Sequence, residues 1–404
     1  MSRALSLALA ALPLWLAGGA SAQETPADAA CIPAPAPVPR NQGLLDVLSL
    51  PGRYATDAAI QEYGWLDMGY SYASSGSGLL AVAPVPNRFG REFLLNQAAL
   101  VVTRPLAEDR LAFGFYAQGF AGSDAAFLQG PGDISSSNPR FGFTVRQLYT
   151  SAHLPVLTDG GVDVVVGRQG TWMGYESYTA PSRPLYSLSY QWNFAEDGAD
   201  TGVWSTWHLS ERMDLRYAVT LGSNTFFTLR GDAPCHLVQT NYWLGADKST
   251  QITGTLLIGN QAVGNVIPFT AGQLDTVVEV RLRHSWGDRV TAVVQANLGW
   301  DQGVPLVGVG EWYGVLAIAE CRLTVSLDAL LRLEWFDDRN GTRTGFATNY
   351  FALTPGLNFR PRPWITLRPE VRGDWAGTPA FGPRDDPRRK SGQLTAALEC
   401  LIRF

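Results

Sequence analysis

Apolar and polar residues alternate one by one in segments of about ten residues from residue 62 onward, the period-2 pattern of β-strands. Over 276–284, Val278, Val280 and Leu282 share one face, while Glu279, Arg281 and Arg283 share the other. Over 290–300 the apolar set is Val290, Ala292, Val294, Ala296 and Leu298, set against Thr291, Gln295 and Asn297. Over 325–335 it is Val325, Leu327, Ala329, Leu331 and Leu333, set against Ser326, Asp328, Arg332 and Glu334. Over 365–374 it is Ile365, Leu367 and Val371, set against Thr366, Arg368, Glu370, Arg372 and Asp374. A soluble sandwich alternates too, so magnitudes must decide. Ten tilted residues rising about 3.4 Å each span roughly 24 Å, close to the apolar band of an outer-membrane barrel. A lipid-facing Arg near the midplane costs about 2–4 kcal/mol, and every charge in these four segments falls on the polar parity. Backbone groups in lipid must all be paired, which requires closure into a barrel.

The rule predicts about 16 strands, near 62–73, 94–104, 110–120, 144–153, 162–169, 201–210, 213–221, 239–246, 249–258, 275–286, 289–300, 311–319, 323–336, 349–359, 365–374 and 392–404. A further strand at 186–192 would change the count, so 14 to 18 stay open. Short connections such as 211–212, 247–248 and 287–288 alternate with long ones: 74–93, 121–143, 170–200, 222–238, 259–274, 337–348 and 375–391. Short periplasmic turns against long external loops are the asymmetry of membrane barrels, and they place both barrel ends in the periplasm. The fold class is therefore an all-β, antiparallel transmembrane barrel occupying 62–404.

Two segments precede it. Residues 1–22 read as a secretory signal peptide, with Arg3 as the positive region, a short apolar core, and Ala20-Ser21-Ala22 as the cleavage site. This implies export to the outer membrane. Residues 23–61 carry Pro33, Pro35, Pro37 and Pro39 and read as an extended periplasmic segment, with a hatch inside the lumen as the alternative. Cys31 lacks an adjoining apolar core and is not read as a lipidation site.

Composition narrows the function. With 46% hydrophobic and 17% charged residues the chain is a folding one. A net charge of -5 excludes a strongly basic nucleic-acid binder. Trp286 and Trp364 fall at short turns, and Trp300, Trp312, Trp335 and Trp375 fall beside long loops, as interfacial girdles require. The terminal Phe404, with apolar residues at alternate positions before it, is the kind of ending read by the outer-membrane assembly machinery.

Catalytic chemistry is not indicated. His153, His208, His236 and His284 are the four histidines, and no nucleophile elbow or His-Glu-x-x-His motif accompanies them. His284 beside Trp286 is expected at the interface rather than in a catalytic triad. The 337–341 run Asp-Asp-Arg-Asn-Gly fails as a Ca²⁺ loop, since Phe336 would hold the first ligand position. No metal or cofactor is predicted. Cys31, Cys235, Cys321 and Cys400 have no metal-site spacing, and a Cys31–Cys321 bridge is one alternative. The lumen carries the informative chemistry. Asp214, Arg216, Glu279, Arg281, Arg283, Asp328, Arg332, Glu334, Arg368, Glu370, Arg372 and Asp374 lie on the polar parity, with Glu399 and Arg403. They are expected either to wall a water-filled pore or to form a paired network that stiffens it.

Several segments resemble the OmpL-like β-barrel porin family. They are Gly64-Trp65-Leu66-Asp67, Asn87-Arg88 with Leu95-Asn96-Gln97, Gly167-Arg168 with Gly174-Tyr175-Glu176, and Tyr186-Ser187-Leu188-Ser189-Tyr190. Trp312-Tyr313-Gly314 and 332–338 before Gly341-Thr342-Arg343-Thr344-Gly345 continue the likeness. The resemblance implies a porin-like barrel in an outer membrane, without enzymatic chemistry. The expected function is a passive diffusion channel for small hydrophilic solutes, with 170–200 folded inward as a constriction. The alternatives are a selective transporter with an N-terminal hatch, a closed structural or adhesive barrel, and a lipid-acting enzyme. Expected partners are outer-membrane lipid, the assembly machinery and small solutes; a homo-oligomer follows only by analogy with general porins.

Overall fold

The structure is a computed structural model and describes residues 60–404 except 135, 232 and 260–273. The predicted signal peptide, the Pro-rich segment up to residue 59 and Cys31 lie outside the described residues. In chain order the elements are β1 (Gln61–Ala73), β2 (Gly78–Leu79), β3 (Phe89–Gly90), β4 (Glu92–Arg104), β5 (Ala112–Gly122), α1 (Ser123–Leu128), β6 (Gly142–Leu154) and β7 (Val162–Gly170). Then come α2 (Tyr190–Phe194), β8 (Ala199–Ser210), β9 (Met213–Thr220), β10 (Cys235–Leu244), β11 (Thr250–Gly259), β12 (Leu274–Trp286) and β13 (Val290–Val304). β14 (Gly308–Thr324), β15 (Leu327–Asp338), β16 (Thr348–Arg362), β17 (Ile365–Ala376) and β18 (Gly392–Arg403) complete the chain.

β1 and β4–β18 form one closed barrel of 16 strands, each antiparallel to its neighbours. The seam joins β18 to β1, with Trp65 opposite Arg403 and Tyr70 opposite Leu398. Phe404 extends it: its N–H donates to Gly64 O at 2.9 Å, and its carbonyl accepts from Gly64 N at 2.8 Å. Among the described residues the barrel has no open edge, as lipid requires. β2 and β3 make a separate two-stranded piece in the first long loop.

All sixteen predicted segments are strands. Residues 186–192 are not, because the chain there turns into α2, which settles the count. The largest boundary difference is at the far end of β14, which continues past the predicted 319 to Thr324, so that β15 starts at Leu327 rather than 323. At its other end, β14 and its neighbour β13 continue past the predicted 311 and 300 to pair Asp301 with Gly310 and Val304 with Gly308. This extension forms a ribbon whose hydrogen bonding persists after the apolar alternation stops. Its connection, 305–307, is short although it lies at the long-loop end.

Exposure separates a membrane barrel from a sandwich. Val280, Val294, Leu331, Leu333, Leu353, Val371 and Leu398 are exposed, whereas Glu279, Arg332, Arg372 and Glu399 are fully buried. A water-soluble fold would reverse this, so the apolar outer surface faces lipid. Trp286 and Trp375 project outward at opposite ends of the barrel, as a girdle requires. Trp312 does not. It lies on the inward parity, is completely buried, and is capped by the Arg343 guanidinium 4.1 Å from a ring centroid. Proximity to a loop in sequence does not fix the face; strand parity does.

Candidate pore and its inward loop

The segment 171–198 leaves β7, enters the barrel and returns to β8, its base closed by Thr171 N donating to Gly198 O at 2.8 Å. It holds a 3₁₀ turn (Ala180–Ser182) and α2, which the Ser189 hydroxyl caps by accepting from Trp192 N. A connection this long inside a barrel carries many backbone groups that cannot reach water, so each needs a partner from the wall.

The late wall, β14–β18, supplies charged partners. The Arg332 guanidinium ion-pairs with Glu176 of the loop at 2.6 Å and with Glu334 at 2.8 Å, and donates to the Ser187 hydroxyl at 2.9 Å. Glu334 accepts from Tyr190 N at 2.6 Å, and Glu370 accepts from Ser187 N at 3.0 Å. Arg372 joins Glu334 at 2.7 Å and Asp374 at 2.8 Å, while Asp374 accepts from the Tyr190 hydroxyl at 2.8 Å. Arg368 lies against Glu399 at 2.8 Å and donates to Ala180 O at 2.9 Å. On β12 and β13, Glu279 accepts from Gly174 N at 2.7 Å, Gln295 accepts from Tyr175 N at 2.8 Å, and Arg281 donates to Gly174 O.

The early wall, β4–β6, supplies amides. Gln97 donates to Tyr178 O at 2.7 Å and accepts from Ala180 N at 3.2 Å and from the Trp65 indole at 2.8 Å. Gln118 accepts from the Tyr178 hydroxyl at 2.6 Å, and Gln147 donates to the same hydroxyl at 2.7 Å. Asn96 donates to the Tyr186 hydroxyl at 3.0 Å. The first long loop adds Val85 O, which accepts from Leu188 N at 2.8 Å. Close approach is possible because the wall is thin where the loop presses on it. A methyl group at Gly69 would overlap the Tyr186 ring, and one at Gly356 would overlap Leu185.

Of the twelve residues expected from sequence to line the lumen, Asp214, Arg216, Glu279, Arg332, Glu334, Arg368, Glu370, Arg372 and Asp374 are buried, and Arg281, Arg283 and Asp328 are half-buried. Glu279, Arg281 and the six from Arg332 to Asp374 converge on the inward loop. Arg216 also reaches the loop, its guanidinium 5.4 Å from the Trp172 ring centroid while it donates to Gln239 at 3.1 Å. Three lie apart: Asp214 meets His208 at 3.0 Å near the short-turn end, Asp328 pairs with Arg360 at 2.7 Å, and Arg283 stands half-buried on β12. Sequence reasoning missed Glu176 and Arg183 of the loop, and Asp67, Gln97, Gln118, Asp124 and Gln147 of the early side. Inward parity would have selected Asp67 and Gln97. Nothing in the periodicity marks Glu176 or Arg183, because the loop has none.

Arg183 is fully buried beside Asp124 and Asp67, the latter at 3.6 Å. Burial works against its charge, but the two carboxylates more than offset that and hold it above the usual arginine range. Glu196, also on the loop, is pushed well above the carboxylate range by burial and then by the Glu279 charge. The loop separates two cavities. One, about 250 Å³, opens toward the short-turn end, and the other, about 120 Å³, toward the long loops.

A closed sixteen-stranded antiparallel barrel, apolar outside and polar within, with one long loop crossing its lumen, defines a porin-type outer-membrane channel. The chain belongs to the family described as putative beta-barrel porin-2, OmpL-like, whose model matches residues 59–404. The family and fold are those of a channel rather than an enzyme. Among solved structures, the chain is similar in fold to the outer membrane channel DcaP of Acinetobacter baumannii, with TM-score 0.58 and 12% identity over 87% of this chain and 99% of that one. It is similar to an anion-selective porin from Comamonas acidovorans, with TM-score 0.59 and 11% identity over 85% and 99%. The trimer form of OmpT from Vibrio cholerae gives TM-score 0.55 and 10% identity over 85% and 99%. No curated protein matches the chain by sequence.

Proposed function

We propose that this porin is a passive diffusion channel for small hydrophilic solutes, and that the segment 171–198 sets its constriction. The observation that carries the reading is the anchoring of that loop across the lumen by Arg332, Glu334, Glu370, Arg372 and Asp374 on one side and Gln97 on the other. In this reading the twelve inward residues act at the pore in two ways. Those under the loop, Arg216 among them, hold it in place, and Asp214, Arg283 and Asp328 wall the remaining space. Residues 1–22 direct export, 23–61 remain periplasmic, the short turns face the periplasm, and Phe404 is read by the assembly machinery. The trimer form among the structural neighbours supports a homo-oligomer.

Planar-bilayer conductance of the folded protein tests this. Replacing 172–197 by a short Gly-Ser linker should raise the single-channel conductance severalfold. Equal conductance with and without the loop would overturn the constriction. The burial of nine of the twelve expected lining residues favours a second reading, a selective transporter that opens only for its substrate. That reading predicts silence in simple salt for the full chain and steps only after the loop is removed.

A further inference from the structure

We infer that the cavity below the inward loop, on the short-turn side, is a binding subsite for small anions bearing carboxylate or phosphate groups. This deepens the channel reading by naming a solute class, and rests on it for its physiological sense but not for its test. The cavity holds about 250 Å³ and is lined by Arg183, Arg360, Arg368 and Arg403, with Glu320 as the acidic side chain among them. Its lining comes from two independent parts of the fold: the 3₁₀ turn of the loop forms one side, and the ends of β14, β16, β17 and β18 form the other.

The arginines are not equivalent. Arg183 and Arg368 are buried and fixed from behind, by Asp124 and by Glu399 respectively. Arg360 is held by Asp328 at 2.7 Å. Arg403 has no carboxylate within ion-pair distance among the described residues. It donates to Pro363 O, and its Nε has no hydrogen-bond partner there. Glu320 already accepts a hydrogen bond from the Tyr175 hydroxyl at 3.1 Å. The compensating carboxylates Asp124, Asp328 and Glu399 are not among the lining residues, whereas the four guanidinium groups are. Coulomb energy falls with distance, so an anion in the cavity meets the cations first. Planar guanidinium forks match carboxylate and phosphate oxygens, and the pre-set pairs fix the forks before a ligand arrives. Asn358 and Thr366 add polar groups to the same lining.

Calorimetric titration of the folded full chain in detergent at low ionic strength tests the subsite, with succinate and inorganic phosphate as separate probes and choline as the cationic control. Saturable binding of one or both anions and none of choline is expected. R403Q and R360Q should each weaken it at least tenfold, while R403K retains part of it. R360Q guards against a folding effect of the change next to Phe404, and cooperative melting of each variant verifies the fold. Absence of saturable anion binding, or affinity unchanged in both variants, would overturn the proposal. Reversal potentials in a salt gradient separate it from the channel reading. Binding without conductance sinks the channel and leaves the subsite, and conductance without binding does the opposite.

Discussion

The two sides of the lumen hold the same loop by different chemistry. On β14–β18 the partners are arginines and carboxylates, buried and shared, so that Arg332, Glu334, Arg372 and Asp374 form one chain of contacts with Glu176 and Tyr190. On β4–β6 the partners are mainly amides, with Gln97, Gln118 and Gln147 making neutral hydrogen bonds to Tyr178, and charge enters on that side through the loop's own Arg183, paired with Asp124 of α1 and Asp67 of β1. A neutral bond contributes about 0.5–1.5 kcal/mol net, whereas breaking a buried ion pair by deleting one partner costs about 3–5 kcal/mol. Buried charge therefore fixes where the loop sits, most densely on β14–β18 and at the single Arg183 cluster on the early side, and the amides seal the rest. Buried charges are a poor way to gain stability but a good way to enforce one arrangement, since any displacement of the loop leaves a charge without its partner.

Three substitutions probe that contrast. The largest effect is expected for R332A, which leaves Glu176 without its guanidinium partner and Glu334 with Arg372 alone. It should cost about 3–5 kcal/mol, lower the melting temperature in detergent, and raise single-channel conductance as the loop loosens. Unchanged conductance in a folded R332A protein would mean that the charged side does not hold the loop. The neighbouring position tests the opposite face. Leu333 is exposed to lipid, and L333R should cost about 2–4 kcal/mol if it lies near the midplane, measured as reduced folding into lipid vesicles. Its folded fraction should conduct normally, because the loop is untouched. The smallest effect is expected for Q97A. Removing it leaves Trp65 and Ala180 without their acceptor at a cost of roughly 1–3 kcal/mol, visible in melting, with conductance close to the parent value. A Q97A conductance as large as that of R332A would make the two walls equivalent.

Legibility in the sequence followed the same division. The late strands alternate cleanly, and the charges in the middle of β15 and β17 lie inward, so Arg332, Glu334, Arg368, Glu370, Arg372 and Asp374 were readable from parity alone. Gln97 and Gln118 lie on strands where small and aromatic residues occupy both faces, as in Ala98-Ala99 and Phe113 to Phe120, and an uncharged amide does not stand out there. Trp312 shows the limit of reading by neighbourhood. It stands near the predicted start of its strand, where a girdle is expected, but its parity sends it into the lumen beneath Arg343.

The sequence by itself determined the strand series, the alternation of short and long connections, and the apolar face. These are local consequences of a period of two and of the cost of charge in lipid. Closure of the seam followed, because an open edge cannot persist in hydrocarbon. Only the tertiary structure decided what the inward charges do. Whether Arg332 faces water or Glu176 depends on where a loop with no periodicity goes, more than 150 residues away in the chain. That path is set by the sum of its wall contacts, and no single segment carries it.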